Sequence, residues 1–150
     1  MIIRPYRSDD WEAVRIIYDL AKPDELRGLV PIDSVLPLAA HPEMLTLFKE
    51  SEIVVAEVDG VAAGFAGNKG DSISWLFVHP SHRRKGIASS LVQALIDKLK
   101  NNITLNVAKN NFGARQLYER MGFVIEKEFE GKFNGHSCDV LTLRFEYTQK

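Results

Sequence analysis

Apolar and polar positions divide the chain into short strands and amphipathic helices. Met1 to Arg4 is an apolar run stopped by Pro5 and predicts a first strand. Trp11, Val14, Ile17/Tyr18 and Ala21 then recur at the spacing of one helical face. Asp9, with Glu12 three residues later, has the form of a capping box. Pro23 is expected to end this helix nearby. Pro23, Pro31, Pro37 and Pro42 all fall within residues 22–42, where no regular structure is expected. Such a segment either shapes a binding cleft or simply connects its neighbours. Glu43 to Lys49 predicts a short helix with Met44, Leu47 and Phe48 inward.

A meander follows. Ile53–Val58 and Val61–Ala66 read as strands around the hairpin dipeptide Asp59-Gly60. Asn68-Lys69-Gly70-Asp71 predicts the next turn, and Ser72–Val78 a third strand. Ile87, Leu91, Leu95 and Leu99, flanked by Ala88, Val92 and Ile96, make a strong helical stripe stopped at Asn101-Asn102. Ile103–Val107 is a short strand, and Asn111–Met121 a helix closed by Gly122. Val124–Lys132 and His136–Phe145 predict a terminal hairpin around Asn134-Gly135. The order β-α-α-β-β-β-α-β-α-β-β implies a mixed α/β layout on one sheet.

Composition narrows the function. A length of 150 residues is expected to fold as a single domain with no disulfide or metal staple. Nineteen Lys and Arg against twenty Asp and Glu leave a net charge of −1, which argues against a nucleic-acid binder. The lone Cys138 cannot form an intrachain disulfide or a multi-cysteine zinc site. No apolar run is long enough to span a membrane, and the first residues lack the order of a signal peptide. The expectation is a cytoplasmic protein with no membrane partner.

The most informative stretch runs from Trp75 through Val78-His79-Pro80 and Arg83-Arg84-Lys85-Gly86 into the helix at Ile87. A helix start has free N–H groups and the positive end of the dipole. This one carries Arg83, Arg84 and Lys85 instead of an acidic residue. Exposed like charges there cost about 0.3–1 kcal/mol each; a docked anion would reverse the sign. Gly86 lets a ligand approach the backbone, and Ala88 keeps the next position small, which suits a phosphate or pyrophosphate. On charge alone, a solvated basic loop before an amphipathic helix is the better account of the stretch. Neither G-x-x-x-x-G-K-[ST] nor G-x-G-x-x-G is present.

Arg83-Arg84-Lys85-Gly86-Ile87-Ala88 resembles [Q/R]-x-x-G-x-[G/A], the pyrophosphate signature of the GNAT acyltransferases, and Val78-His79-Pro80 resembles the V-x-P before it. Asn111 through Phe123 is similar to that family's N-x-x-A-x-x-x-Y-x-x-x-G-F. The two matches stand in order, separated by one helix and one strand. The resemblance implies the GNAT fold: a central, mostly antiparallel sheet with a splayed parallel strand pair, flanked by helices. It implies acetyl-CoA as co-substrate, no metal, and an acetyl group passed directly to a primary amine of a small molecule or peptide. A non-catalytic acyl-CoA-binding module on the same fold is the alternative, and a homodimer is left open.

By the same resemblance, the amides from Arg84 to Ser89 hold the pyrophosphate. The Arg83, Arg84 and Lys85 side chains either meet the phosphates or stay solvated, and Ile87 points into the core. Leu76–Val78 and Leu105–Val107 splay around the pantetheine arm, and an N–H near Phe77 or Val78 polarises the thioester carbonyl. Asn111 contacts the pantetheine, caps its helix, or does both. Tyr118 protonates the departing thiolate, or is simply core. The fourth and fifth strands carry no carboxylate to serve as base. A water wire ordered by Ser74 and Asn106 is the expected substitute; Glu57, Asp71 and His79 are weaker candidates, and His82 is expected to be structural. The hairpin Phe133–His136 either borders the acceptor cleft or is an exposed turn.

Overall fold

The computed structural model describes residues 1–26, 31, 35–133 and 135–148. Seven strands form one sheet: β1 (Ile2–Pro5), β2 (Glu52–Val58), β3 (Val61–Lys69), β4 (Ser72–Val78), β5 (Ile103–Ala108), β6 (Val124–Phe133) and β7 (His136–Phe145). Their spatial order is β1-β2-β3-β4-β5-β7-β6, and every neighbouring pair is antiparallel except β4–β5. Among the described residues four α-helices accompany them: α1 (Trp11–Glu25), α2 (Pro42–Glu50), α3 (Ile87–Leu99) and α4 (Phe112–Arg120). The element order is the one expected from the apolar pattern.

The sheet separates two cores. Val14, Ile17 and Tyr18 of α1 and Phe48 of α2 pack with Val55, Phe65, Trp75 and Phe77. This core is aromatic, with Tyr18 5.1 Å from Phe77 and Phe48 5.4 Å from Trp75, both measured between ring centroids. The other core is aliphatic: Ile87, Leu91, Val92, Leu95 and Ile96 of α3 pack against Ala56, Ala66, Ile103, Leu105 and Leu143. The i, i+4 stripe read from the sequence is therefore the buried face of α3.

Two expectations about α1 are corrected. No carboxylate side chain caps α1: Asp10 holds its N-cap position, but the Asp10 side chain accepts the Arg7 N–H at 2.8 Å, closing the 3-10 turn Ser8–Asp10, and both Arg4 terminal nitrogens at 2.8 Å. Asp10 is buried and tied to β1, whereas Asp9 is exposed and Glu12 pairs with Arg15. The helix ends near Pro23 as expected, but residues 22–25, expected to be irregular, are its last turn, with Pro23 inside it. A proline in the last turn removes only the hydrogen bond its own N–H would have made to Asp19. Beyond it, Leu38 is fully buried in a short 3-10 turn and donates its N–H to Asp19 Oδ1 at 2.8 Å.

The predicted turn at Asn68 also shifts. β3 continues to Lys69, and the buried Asn68 donates through Nδ2 to the Gly70 carbonyl at 2.9 Å. Gly67 faces Trp75 but Asn68 faces Ile73, so Ser74 is the extra residue of a β-bulge. A bulge shifts the side-chain alternation and bends its strand. Accordingly Ile73 belongs to the aliphatic core, while Trp75 and Phe77 belong to the aromatic one. The terminal hairpin pairs as far as Phe133 opposite His136, with Gly135 at φ +83°; Asn134 lies outside the described residues.

Candidate active site

The parallel pair β4–β5 is short. Ser72 pairs with Thr104 and Ile73 with Leu105, and pairing then stops at the Ser74 bulge. Both strands continue, β4 held by β3 and β5 by β7. Past the bulge, their facing edges have no strand partner. A parallel pair that opens halfway leaves backbone donors and acceptors facing a gap, which an extended ligand with its own amides can fill.

The gap widens into a cleft of about 700 Å³. Phe77 and Val78 line one wall, and Asn106 and Val107 the other. Arg83, Arg84, Gly86, Ile87, Ala88 and Ser89 close one end. Asn111, Ala114, Leu117 and Tyr118 of α4 form a further wall. Every residue expected to bind the donor, and Tyr118, thus reaches this cleft except Lys85, whose exposed side chain does not line it. Glu57, Asp71 and His79 are not among its lining residues. Glu57 instead binds Arg4 at 3.2 Å, Asp71 receives Asn101 Nδ2 at 3.0 Å, and His79 Nδ1 receives the Ser81 N–H at 3.1 Å.

The turn into α3 has the geometry of an anion cradle. Arg84 has φ +64° and Gly86 φ +77°, so two left-handed residues flank Lys85. Successive residues of alternating hand turn their N–H groups towards one point. A Cβ on Gly86 would meet only Ser89 Oγ at 4.0 Å, so it is the positive φ, not crowding within the protein, that favours glycine there. No side chain caps α3, and its first helical hydrogen bond runs from Ser90 N–H to the Gly86 carbonyl. The N–H groups of Ile87, Ala88 and Ser89 precede that bond and point outward at the positive end of the dipole. The diphosphate and pantetheine of an acyl-CoA fit this pair of features: a phosphate cradle and an open strand edge.

The profile of the acetyltransferase (GNAT) family matches residues 11–123. The chain is a GNAT acetyltransferase. It is 33% identical over 129 residues to an acetyltransferase of Pectobacterium atrosepticum, covering 82% of this chain and 87% of that one. It is 30% identical over 132 residues to an acetyltransferase of Sodalis glossinidius, covering 84% and 89%. A GCN5-related N-acetyltransferase from Rhodopseudomonas palustris shares the fold with TM-score 0.84 at 19% identity, over 97% of this chain and 94% of that one. So does an acetyltransferase, yncA, from Salmonella typhimurium, solved with its cofactor acetyl-CoA, with TM-score 0.71 at 21% identity over 100% and 95%. Among the described residues, no helix is long and apolar enough to cross a membrane, and no cluster of His, Cys, Asp and Glu is arranged to hold a metal.

In this GNAT chain Tyr118 sits two turns into α4 with only 6% of its surface exposed. Burial, and secondly the negative charge of Glu25, push its hydroxyl above the ordinary 10.0. It therefore stays protonated throughout the neutral range and can act as a donor. Asn111 caps α4, its Oδ1 accepting the Ala114 N–H at 3.3 Å. Arg83 pairs with Asp24 at 2.9 Å, tying the basic turn to the end of α1. The Ser74 and Asn106 side chains already have protein partners: Ser51 Oγ at 3.0 Å and Thr142 Oγ1 at 2.7 Å.

Sequence reasoning missed the end of α1. Lys22, Asp24 and Glu25 line the cleft, with Lys22 Nζ 3.4 Å from Glu25 Oε2. The signal was present: Lys22 follows Tyr18, and Glu25 follows Ala21, at i+4. Both lie on the stripe that faces the sheet. Placing residues 22–42 outside regular structure hid them.

Proposed function

We propose that this acetyltransferase uses acetyl-CoA as donor and a primary amine of a small molecule or peptide as acceptor. One observation carries the reading: the open β4 edge, the uncapped α3 start and the buried Tyr118 hydroxyl converge on a single cleft. The α3 amides would hold the diphosphate, and the edge at Phe77–Val78 would pair with the pantetheine amides and polarise the thioester carbonyl. Asn111 would add a contact to the pantetheine beside its capping role.

The transfer needs no covalent enzyme intermediate. The amine nitrogen attacks the thioester carbon, the C–N bond forms, and collapse of the tetrahedral intermediate breaks the C–S bond. The sulfur leaves with a negative charge and takes a proton from Tyr118. A thiol near 8.5 is a stronger acid than a phenol near 10, so this transfer is uphill, and burial of Tyr118 steepens it. Holding the phenol within hydrogen-bond reach of the sulfur is what makes it workable. Cys138 stands on the terminal hairpin opposite Gly131, outside the cleft, and takes no part.

A thermal-shift titration with acetyl-CoA, followed by measurement of coenzyme A release with amines, tests the reading. Stabilisation by acetyl-CoA but not by ATP, and release that depends on the amine, are expected. Stabilisation with no release across amino acids, polyamines and peptides with free N-termini would make the protein a binding module instead.

A further inference from the structure

An ammonium acceptor must lose a proton before it can attack, and neither β4 nor β5 supplies a carboxylate to take it. Two carboxylates line the cleft among the described residues, Asp24 and Glu25. Asp24 is engaged by Arg83. Glu25 is 30% exposed and faces an ammonium already, that of Lys22 at 3.4 Å. That ammonium lies 5.6 Å from the centre of the Phe77 ring and 6.0 Å from that of Tyr18. A primary ammonium on an alkyl chain thus rests between a carboxylate and two aromatic faces, beside the strand edge where the thioester belongs. The chemical form of Lys22 is also the form of a primary-amine acceptor.

We infer that Glu25 is the acceptor-binding residue and the base: its carboxylate takes the acceptor's ammonium group in place of Lys22 and receives the proton that frees the nitrogen to attack. The inference rests on the acetyl-CoA reading above. Two further observations fit it. The Tyr18 hydroxyl beside this pair is buried and has no hydrogen-bond partner among the described residues. Glu25 is also close enough for its charge to act on the hydroxyls of both Tyr18 and Tyr118.

The protons balance. The nitrogen gives up two over the reaction. The first passes to Glu25 and, through its exposed edge, to water. The second replaces on Tyr118 the proton that Tyr118 gives to the coenzyme A sulfur, as the C–N bond forms and the C–S bond breaks.

The test uses the whole protein saturated with coenzyme A, and calorimetry with n-butylammonium against n-butanol as its neutral counterpart. The wild type is expected to bind the ammonium about tenfold more tightly than the alcohol. Glu25→Gln removes that preference, Glu25→Asp retains part of it, and Lys22→Met strengthens ammonium binding severalfold. With acetyl-CoA and n-butylamine, Glu25→Gln raises the amine KM and lowers kcat, and leaves the thermal shift given by acetyl-CoA unchanged. No preference in the wild type, or a preference that survives Glu25→Gln, overturns the inference. An acetyl-CoA shift absent from the wild type would instead overturn the donor assignment beneath it.

Discussion

Two helix starts face the same cleft and are built in opposite ways. At α4, Asn111 satisfies the Ala114 N–H with its own side chain, and the helix is closed on itself before any ligand arrives. At α3, no side chain caps the first turn, no acidic residue offsets the dipole, and two left-handed residues precede it. An uncapped, positively crowded helix start is a local defect that a good cap would relieve by about 1 kcal/mol. Its presence beside an open strand edge supports the proposal that a phosphate-bearing donor binds there. The closed helix serves the other need: it carries Tyr118 in a fixed, buried position.

The contrast predicts that substitutions on α4 act on turnover and stability, whereas those at the α3 start act on binding. The largest effect is expected from Tyr118→Phe, which should lower kcat by about 100-fold and leave acetyl-CoA binding within about twofold. Equal loss of binding and turnover would erase the division of labour. Next is Ser89→Asp, which puts a carboxylate in the first turn of α3. It should stabilise the ligand-free protein by about 0.3–1 kcal/mol and weaken acetyl-CoA by about tenfold. Urea melts and calorimetry read the two opposite signs; a variant that gains stability without losing affinity would show that the amides are not used.

Asn111 separates its own two roles. Asn111→Ala removes the cap and should cost about 1 kcal/mol in a urea melt. Asn111→Asp keeps an acceptor for Ala114 but loses the amide donor, so it should hold stability while acetyl-CoA affinity falls severalfold. The smallest effect concerns the start of α1. Arg4, and then the Arg7 N–H, hold the buried Asp10 carboxyl below its ordinary value. A depressed carboxyl contributes stability above its unfolded value near 3.9. That contribution is lost as pH falls through the folded value. Acid melts of wild type and Asp10→Asn should therefore differ at pH 6 and converge at low pH; a difference that persists in acid would separate Asp10 from the effect.

Much of this arrangement was readable before the coordinates. The stripes of α1 and α3, the Asp59-Gly60 turn and the glycine-bearing basic turn rest on local chemistry, which spacing reports directly. What stayed hidden depends on partners distant in sequence. Asp9 and Asp10 look equivalent until Arg4 of β1 and the Arg7 N–H engage the Asp10 carboxylate. The bulge at Ser74 leaves no mark on the alternating run Trp75 to Val78, because it lies one residue upstream and is defined by β3. Pro23 reads as a breaker, yet the cost at the last helical turn is a single hydrogen bond. Placing residues 22–42 outside regular structure concealed Glu25, the carboxylate that the strands themselves lack. The end of α1 was the least legible part, and its Lys22, Asp24 and Glu25 line the cleft.

Backbone amide chemical shifts followed by NMR during an acetyl-CoA titration test the central claim most directly. The largest changes should fall on Lys85 to Ser89, with a second group at Phe77 and Val78, and pantetheine alone should move only the second group. A separate hollow of about 570 Å³ lined by Tyr6, Trp11 and Phe48 lies outside this cleft and provides the contrast. Changes centred there, with the α3 amides unmoved, would contradict the account.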